Sequence, residues 1–291
     1  MKKLLIAVVV VILFLVPVFL QREVREKTLS QGKNKENACE WMVVLEGEEM
    51  PLEQYVAGVV AGEMPAVYEL EALKAQAIAA RTYALYKLKN ETQQLKATVA
   101  HQVFYDGKQR AERWKDEAEK YEAKVQKAVK ETEGKIATYR GEPISAMFHA
   151  ASNGKTESAR NYSGNDIPYL RSVTSPEKET ETERVVTQRW SVSELKAAQI
   201  TRNDSGRVEQ VTIGDEKMTG RQLREVLQLR STDFQFKVDG DELVVTTRGY
   251  GHGVGMSQLG AQQMALAGKH AEEILQHYYS EIKISKATCE K

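Results

Sequence analysis

The sequence of 291 residues has few cysteines and no net charge. Its two cysteines, Cys39 and Cys289, are not spaced like the ligands of a zinc site. In an oxidising compartment they could pair; otherwise they would remain unpaired thiols. Lysine plus arginine total 41, as do aspartate plus glutamate. Since no basic cluster with interleaved aromatics stands out either, we do not expect the protein to bind nucleic acid.

One long apolar run is present, at the N terminus. Residues 4–20 contain no charged or polar side chain and are near the short limit, roughly 17 residues, for a helix that crosses a bilayer. A cleaved signal peptide begins in the same way but ends in a small-x-small site, which is missing here. The pattern favours an uncleaved anchor at 1–20 over a cleaved signal, followed by a polar juxtamembrane linker at 21–39.

The orientation of this anchor depends on the flanking basic residues. Lys2 and Lys3 favour a cytoplasmic N terminus, whereas Arg22, Arg25 and Lys27 oppose it. Because the N-terminal tail is short, we expect the large C-terminal part to be exported. The prediction is a single-pass protein of the cell membrane with an extracytoplasmic domain at 40–285.

This domain mixes short strands and helices without βαβ regularity, which predicts an α+β fold around a substrate groove. Strong helix formers fill residues 69–88, and residues 112–132 have the single apolar stripe of a second helix. An exposed loop is expected near 175–183. The other predicted elements are a strand at 41–45, a helix-turn segment at 52–61, hairpins at 135–148 and 234–247, and a strand at 208–213. Helices are predicted at 219–227, capped by Thr219, at 257–268, capped by Ser257, and at 271–279.

Three segments depart from what packing alone demands. The first is Ala61-Gly62-Glu63-Met64-Pro65, followed by a helix that carries Lys74 and Arg81. Pro65 restricts Met64 to extended geometry, so Glu63 is expected at a break between two helical segments. The second segment is 148–157, with His149 and Ser152, and the third is the glycine-rich stretch 249–258, with His252, Met256 and Gln258.

With these three segments in this order, the chain resembles the sporulation protein D and amidase-enhancer family of cell-wall proteins, from about residue 49 to 279. The resemblance implies a lytic transglycosylase that cuts peptidoglycan strands, preferably stripped of stem peptides, between MurNAc and GlcNAc and leaves 1,6-anhydroMurNAc ends. It implies that Glu63 is catalytic and that Lys74 and Arg81 are functionally important.

The resemblance also implies partners and a location. The partners would be glycan strands, a cell-wall amidase and another membrane protein of the engulfment machinery, at the mother-cell membrane facing the septal wall. Some relatives hold zinc with a histidine and two cysteines. His149 stands at the histidine position, but Lys155 and Asn161 stand at the cysteine positions, so no metal or other cofactor is expected.

The chemistry of a single carboxyl is compatible with this activity. Most glycosidases use two carboxylates, but one suffices where the sugar's own C6 hydroxyl is the nucleophile and arrives pre-positioned. The carboxyl then donates a proton to the leaving oxygen and later accepts one, which requires a raised pKa. The alternative for Glu63 is a helix-terminal carboxylate that favours the positive end of the following helix.

The remaining site residues are candidates for binding sugar. Lys74 and Arg81 share one helix face and lie on the order of 10 Å apart, which suits a polymer; the alternative is a solvated face with ion pairs. His149, Ser152, His252, Met256 and Gln258 are further groove candidates, with a structural His252 as the alternative. No nucleotide, serine-hydrolase or zinc-peptidase motif fits. The rival function is a non-catalytic peptidoglycan scaffold or amidase enhancer.

Overall fold

The structure is a computed structural model that describes residues 41–98, 100–177, 182–189, 198–239 and 242–287. The predicted anchor and linker and both cysteines lie outside these residues. Among the helices of the described ranges, none combines the length and the apolar character that crossing a membrane would require. Met42–Ala287 forms one compact unit.

The fold is α+β, as the sequence predicts. The α-helices are α1 (Leu52–Glu63), α2 (Leu70–Asn90), α3 (Gly107–Trp114), α4 (Ala118–Glu131), α5 (Ala159–Ser163), α6 (Gly220–Val226), α7 (Gln258–Leu266) and α8 (Ala271–Tyr278). The strands are β1 (Met42–Leu45), β2 (Glu48–Pro51), β3 (Lys135–Tyr139), β4 (Glu142–Pro143), β5 (Phe148–His149), β6 (Glu183–Arg189), β7 (Gln199–Arg202), β8 (Val208–Ile213), β9 (Glu216–Thr219), β10 (Asp233–Asp239), β11 (Glu242–Arg248), β12 (Met256–Ser257) and β13 (Lys283–Lys286).

The strands form small sheets. Two sheets have two strands each, in the orders β1-β2 and β12-β5, and three have three strands each, in the orders β10-β11-β6, β13-β3-β4 and β7-β8-β9, among the described residues. The named strands of the described ranges pair antiparallel except β12 with β5, where Met256 lies opposite Phe148 and Ser257 opposite His149. This parallel pair joins the second and third sequence motifs.

Helix α2 is the centre of the first core. It packs against α1, α4, α7, α8 and β3. Its alanines at 72, 75, 77, 79, 80 and 84 are buried, and their small size allows neighbours to approach on several sides. A helix that is surrounded in this way is buried around most of its circumference.

A second core lies in the C-terminal half, between α6 and strands β8, β10 and β11. It is formed by Val208, Val211, Leu223, Leu227, Leu229, Phe234, Leu243 and Val245. The Thr219 side chain caps α6 in a capping box with Gln222, as its sequence predicts. The hairpin of β10 and β11 and the Ser257 cap of α7 are also confirmed.

Three sequence predictions need correction. The helix expected at 112–132 is two helices, because Lys115 adopts a positive φ of 47° and begins a 3-10 turn; Arg110 of α3 then pairs with Glu122 of α4. The first hairpin is shorter than expected, since its second strand, β4, ends at Pro143. In the stretch expected to be an exposed loop, Ser175, Glu177 and Thr182 are buried. Ser175 and Glu177 form hydrogen bonds with polar side chains of the interior.

Candidate active site

Glu63 is the last residue of α1, directly before the helix ends. Met64 adopts extended geometry, with φ −124° and ψ 138°, as expected for a residue that precedes proline. The carboxylate therefore lies at the negative end of the helix dipole, which disfavours its charge. The following helix, α2, begins only at Leu70 with Glu69 as its N-cap, so the alternative role of Glu63 as a partner of that helix's positive end is not supported.

The Glu63 side chain is partly buried and, within the ranges that the structure describes, forms one hydrogen bond. Its Oε1 accepts from the backbone N–H of Val103 at 2.6 Å. Burial raises the pKa of the Glu63 carboxyl, and the Val103 hydrogen bond lowers it by less, so the net shift is upward. A raised pKa is what a carboxyl needs to be a proton donor near neutral pH.

The segment 102–105 covers the face of α1 that leads to Glu63. Gly58 and Gly62, one turn apart, have no side chains and so let the segment approach that face closely. A Cβ on Gly58 would come within 2.1 Å of the Phe104 ring, and one on Gly62 within 2.6 Å of the Val103 carbonyl oxygen. The two glycines four residues apart in a helical segment were a sequence signal for this contact, and sequence reasoning missed it together with Val103.

Lys74 is held on α2 by two carboxylates. Its Nζ lies 2.8 Å from Glu71 and 2.5 Å from Glu131 of α4. Partial burial lowers the pKa of Lys74, but hydrogen bonds to Glu131 and Glu71 outweigh it, so the pKa is raised. The side chain remains partly exposed, and this arrangement combines the ion pairs of the alternative interpretation with some access for a ligand.

Arg81 is not on a groove surface. Its side chain is fully buried and forms a two-pronged ion pair with Glu53 of α1, with Nε 2.8 Å from Oε1 and Nη2 2.5 Å from Oε2. Nη1 also donates to the Lys135 carbonyl oxygen at 3.0 Å. The expected sugar contact of Arg81 is therefore corrected: the guanidinium has no exposed surface to offer, because α1, α2 and β3 enclose it.

Ser152 belongs to a buried network around Glu177. The Glu177 carboxylate accepts from the Ser152 N–H at 2.9 Å and the Ser152 Oγ at 3.0 Å, and from the hydroxyl of Ser257. All three residues are buried. The expected contact of Ser152 with sugar is corrected accordingly. Its hydroxyl is already hydrogen-bonded inside the fold, where Glu177 links the second and third motifs. No pattern in the sequence pointed to Glu177.

The two histidines of these motifs are neighbours. The rings of His149 and His252 lie 5.8 Å apart, and His149 Nδ1 contacts the Val254 carbonyl oxygen at 3.2 Å. Burial, with His252 and Arg207 nearby, lowers the pKa of His149 well below its usual range. Burial and Arg224 lower the pKa of His252 to about 4. Both rings are thus neutral near pH 7, and His149 is too buried to meet a sugar.

Met256 and Gln258 are also interior residues. Met256 is fully buried in β12, and the Gln258 side chain donates to Gln76 Oε1 on α2 at 3.3 Å. Their expected groove contacts are corrected, because packing between α2, β5 and α8 encloses this strand-to-helix connection. Of the residues predicted to bind sugar, only Lys74 and His252 retain some exposure to solvent.

The residues at the zinc positions of some relatives do not fit a metal. Lys155 Nζ donates to the Asp204 carbonyl oxygen at 2.8 Å, and the Asn161 amide donates to Glu157 and Asp204. Within the described residues, no three His, Cys, Asp or Glu side chains converge as metal ligands would.

The structure therefore brings the second and third motifs together through the pairing of β12 with β5. Among the described residues, no hydrogen bond joins Glu63 to His149, His252 or Gln258. The link is indirect, through α2: Gln76 meets Gln258, and α2 packs on α1. What the arrangement offers chemically is one partly buried carboxyl with a raised pKa and a single fixed oxygen.

Comparison with known proteins places the chain in a family. A family model described as stage II sporulation protein matches residues 43–139, which contain Glu63, Lys74 and Arg81. Stage II sporulation protein D of Bacillus subtilis (strain 168) is 41% identical over 261 residues, covering 82% of this chain and 76% of that protein. The protein of the same name from Bacillus amyloliquefaciens is 40% identical over 260 residues, with the same coverage.

A more distant relative is the amidase enhancer of Bacillus subtilis (strain 168). It is 27% identical over 289 residues, covering 76% of this chain but only 39% of the enhancer. The identity and coverage shared with the two sporulation proteins decide the assignment: the chain belongs to the stage II sporulation protein D family, a family of sporulation proteins.

Proposed function

We propose that this protein is a peptidoglycan lytic transglycosylase and that Glu63 is its acid and base. The observation that carries the proposal is the raised pKa of this carboxyl at the C-terminal end of α1. A carboxylate in that position is unfavourable for stability. A residue placed where it is unfavourable for stability is expected at a functional site.

One carboxyl is enough for the whole reaction. Glu63 donates its proton to the GlcNAc oxygen as the bond from MurNAc C1 to that oxygen breaks. The same carboxylate then removes the proton from the C6 hydroxyl of MurNAc while O6 bonds to C1 and closes the anhydro ring. Glu63 ends protonated again, now with the proton of the C6 hydroxyl, while the first proton stays on the released GlcNAc hydroxyl, and no water is consumed.

The test is product analysis in water labelled with oxygen-18. The full chain, kept in detergent because of its apolar N-terminal run, is incubated with glycan strands stripped of stem peptides, beside a Glu63→Gln variant. The expected products from the wild type are anhydro-MurNAc ends without oxygen-18, and the variant gives none. Ends that carry oxygen-18 would mean hydrolysis, and cleavage by the variant would exclude Glu63 as the acid.

A second candidate function is a non-catalytic scaffold that binds peptidoglycan and stimulates a cell-wall amidase. The similarity to a protein named amidase enhancer favours it. A scaffold does not need a raised pKa at Glu63. The discriminating measurement is the stimulation of a purified cell-wall amidase by wild type and by Glu63→Gln: equal stimulation, together with no glycan cleavage by the wild type, would favour the scaffold.

We further propose the membrane location that the N-terminal sequence predicts, with residues 1–20 as an anchor and 40–285 outside the cytoplasm. Glycan strands would be the substrate, and an amidase and another membrane protein of the engulfment machinery would be partners. External protease added to protoplasts should digest the large domain and spare a tag placed at the N terminus. Release of the large domain into the medium would instead indicate a cleaved signal.

A further inference from the structure

Segment 102–105 packs so closely on α1 that the helix positions beneath it, Gly58 and Gly62, have no room for a side chain. The contacted residues of α1 are Tyr55, Gly58 and Gly62, which lie on one helix face. A Cβ at Gly62 would meet the Val103 carbonyl oxygen at 2.6 Å and its carbonyl carbon at 2.9 Å, both backbone atoms that cannot rotate away. The Val103 backbone is therefore placed against the last turn of α1.

Contacts on both sides of Val103 fix the segment. Before it, Gln102 Oε1 accepts the hydroxyl of Tyr55 at 3.0 Å. After it, the Phe104 ring stacks on the Tyr55 ring, with centroids 5.8 Å apart and planes 9° apart. The Tyr105 N–H donates to the Gly58 carbonyl oxygen at 3.1 Å. With its neighbours held by one stretch of helix, the Val103 N–H has little freedom of direction.

That N–H points at the carboxyl of Glu63. The donor–acceptor distance is 2.6 Å, to Oε1, while Oε2 has no hydrogen-bond partner in the described part of the chain. We infer that the backbone N–H of Val103 is the positioning donor of the active site: it holds Glu63 Oε1 as an acceptor and leaves Oε2 as the oxygen that carries and transfers the proton. This inference rests on the proposed role of Glu63 as the acid and base.

The chemistry of the contact supports this division of roles. An oxygen that accepts an N–H bond is a poor place for a proton, so protonation is directed to the other oxygen. The bond also favours the charged form, which limits how far burial can raise the pKa of Glu63. The same segment thus covers the carboxyl, orients it and keeps its proton transferable.

The first test needs no substrate and no change in the segment. In the full chain in detergent, labelled with nitrogen-15 at valine, the Val103 amide proton is followed as the pH is raised. It should shift downfield with the titration of Glu63, and the step should vanish in Glu63→Gln. A Val103 amide that does not respond to the titration of Glu63 would overturn the inference. Glycan cleavage has no influence on this result, so it separates failure of the contact from failure of the proposed function.

The second test removes the donor. Val103→Pro has no N–H, whereas the conservative Val103→Ala keeps it. In Val103→Pro we expect the pKa of Glu63 to rise further and the alkaline limb of the pH–rate profile to move with it, while kcat falls roughly 10- to 100-fold because the acid is misdirected. Val103→Ala should retain the wild-type titration of Glu63. Equal profiles for the two variants would contradict the positioning role.

Should Val103→Pro fail to fold, Gly62→Ala tests the same contact from the helix side. Alanine is the better helix former, so α1 itself is not weakened, but the new Cβ must displace the Val103 backbone. The Val103 amide should then lose its response to Glu63, and kcat should fall with little change in KM. A folded Gly62→Ala protein with an unchanged Val103 response would count against the inference.

Discussion

The guanidinium of Arg81, in the interior of α2, and the carboxylate of Glu53, in the first turn of α1, form a two-pronged ion pair. Glu53 Oε1 also accepts from the Gly134 N–H at 3.2 Å, and Arg81 donates to the carbonyl oxygen of Lys135. The pair therefore links α1, α2 and the start of β3. It fixes the N-terminal end of the helix that carries Glu63 at its other end.

Truncation of Arg81 should destabilise the fold. Arg81→Ala leaves Glu53 and the Lys135 carbonyl without their partner, and we expect a loss of about 3 kcal/mol in the free energy of unfolding, measured with urea. The exposed Arg160 is the matched control, and Arg160→Ala should change stability by less than about 0.5 kcal/mol. An Arg81→Ala protein of wild-type stability that no longer binds glycan would instead support a direct contact with substrate.

The stability of the protein should depend on pH through Glu63. Because burial raises the folded-state pKa of Glu63 above its unfolded value, stability is full below the unfolded pKa and falls as pH rises through the folded pKa. The amide side chain introduced by Glu63→Gln keeps an oxygen for the Val103 N–H but carries no charge. The variant should therefore be more stable than wild type at neutral pH, and the difference should shrink in acid. Urea unfolding across a pH series measures this, and a less stable variant at pH 7 would contradict it.

Two glycines with left-handed backbone should respond differently to alanine. Gly255 has φ 73°, and a Cβ there would lie 2.0 Å from the Met147 carbonyl oxygen; Gly268 has φ 84° and open space around it. Gly268→Ala should cost about 1–2 kcal/mol, from backbone conformation alone. Gly255→Ala should cost more, since it also separates β12 from its neighbour. Thermal unfolding compares them, and equal losses would show that the close approach at Gly255 is unimportant.

Ser152 should matter for stability and not for turnover. Ser152→Ala removes the hydroxyl that donates to the buried Glu177 carboxylate, and hydrogen bonds to charged groups contribute about 1.5–3 kcal/mol. Ser163→Ala, at an exposed serine, is the control and should change little. Denaturant unfolding and glycan cleavage by the folded fraction are both measured. A fall in cleavage without a fall in stability would favour sugar contact by Ser152 after all.

Local rules in the sequence were sufficient for several elements. The cap of α6 by Thr219, the cap of α7 by Ser257 and the break after Glu63 depend on residues within a few positions of one another. Such short-range effects need no knowledge of the rest of the chain. The helix break at Lys115 could not be predicted in this way, because it accompanies the pairing of Arg110 with Glu122, twelve residues further along the chain.

The sequence by itself determined the mixed α+β class, the three motifs and the candidacy of Glu63. Only the tertiary structure decided which side chains can reach a ligand: it buried Arg81, Ser152 and Met256, and it supplied Val103 as the partner of Glu63. Burial and hydrogen bonding depend on segments distant in the chain. Helical spacing gives the face of a residue but not what covers that face.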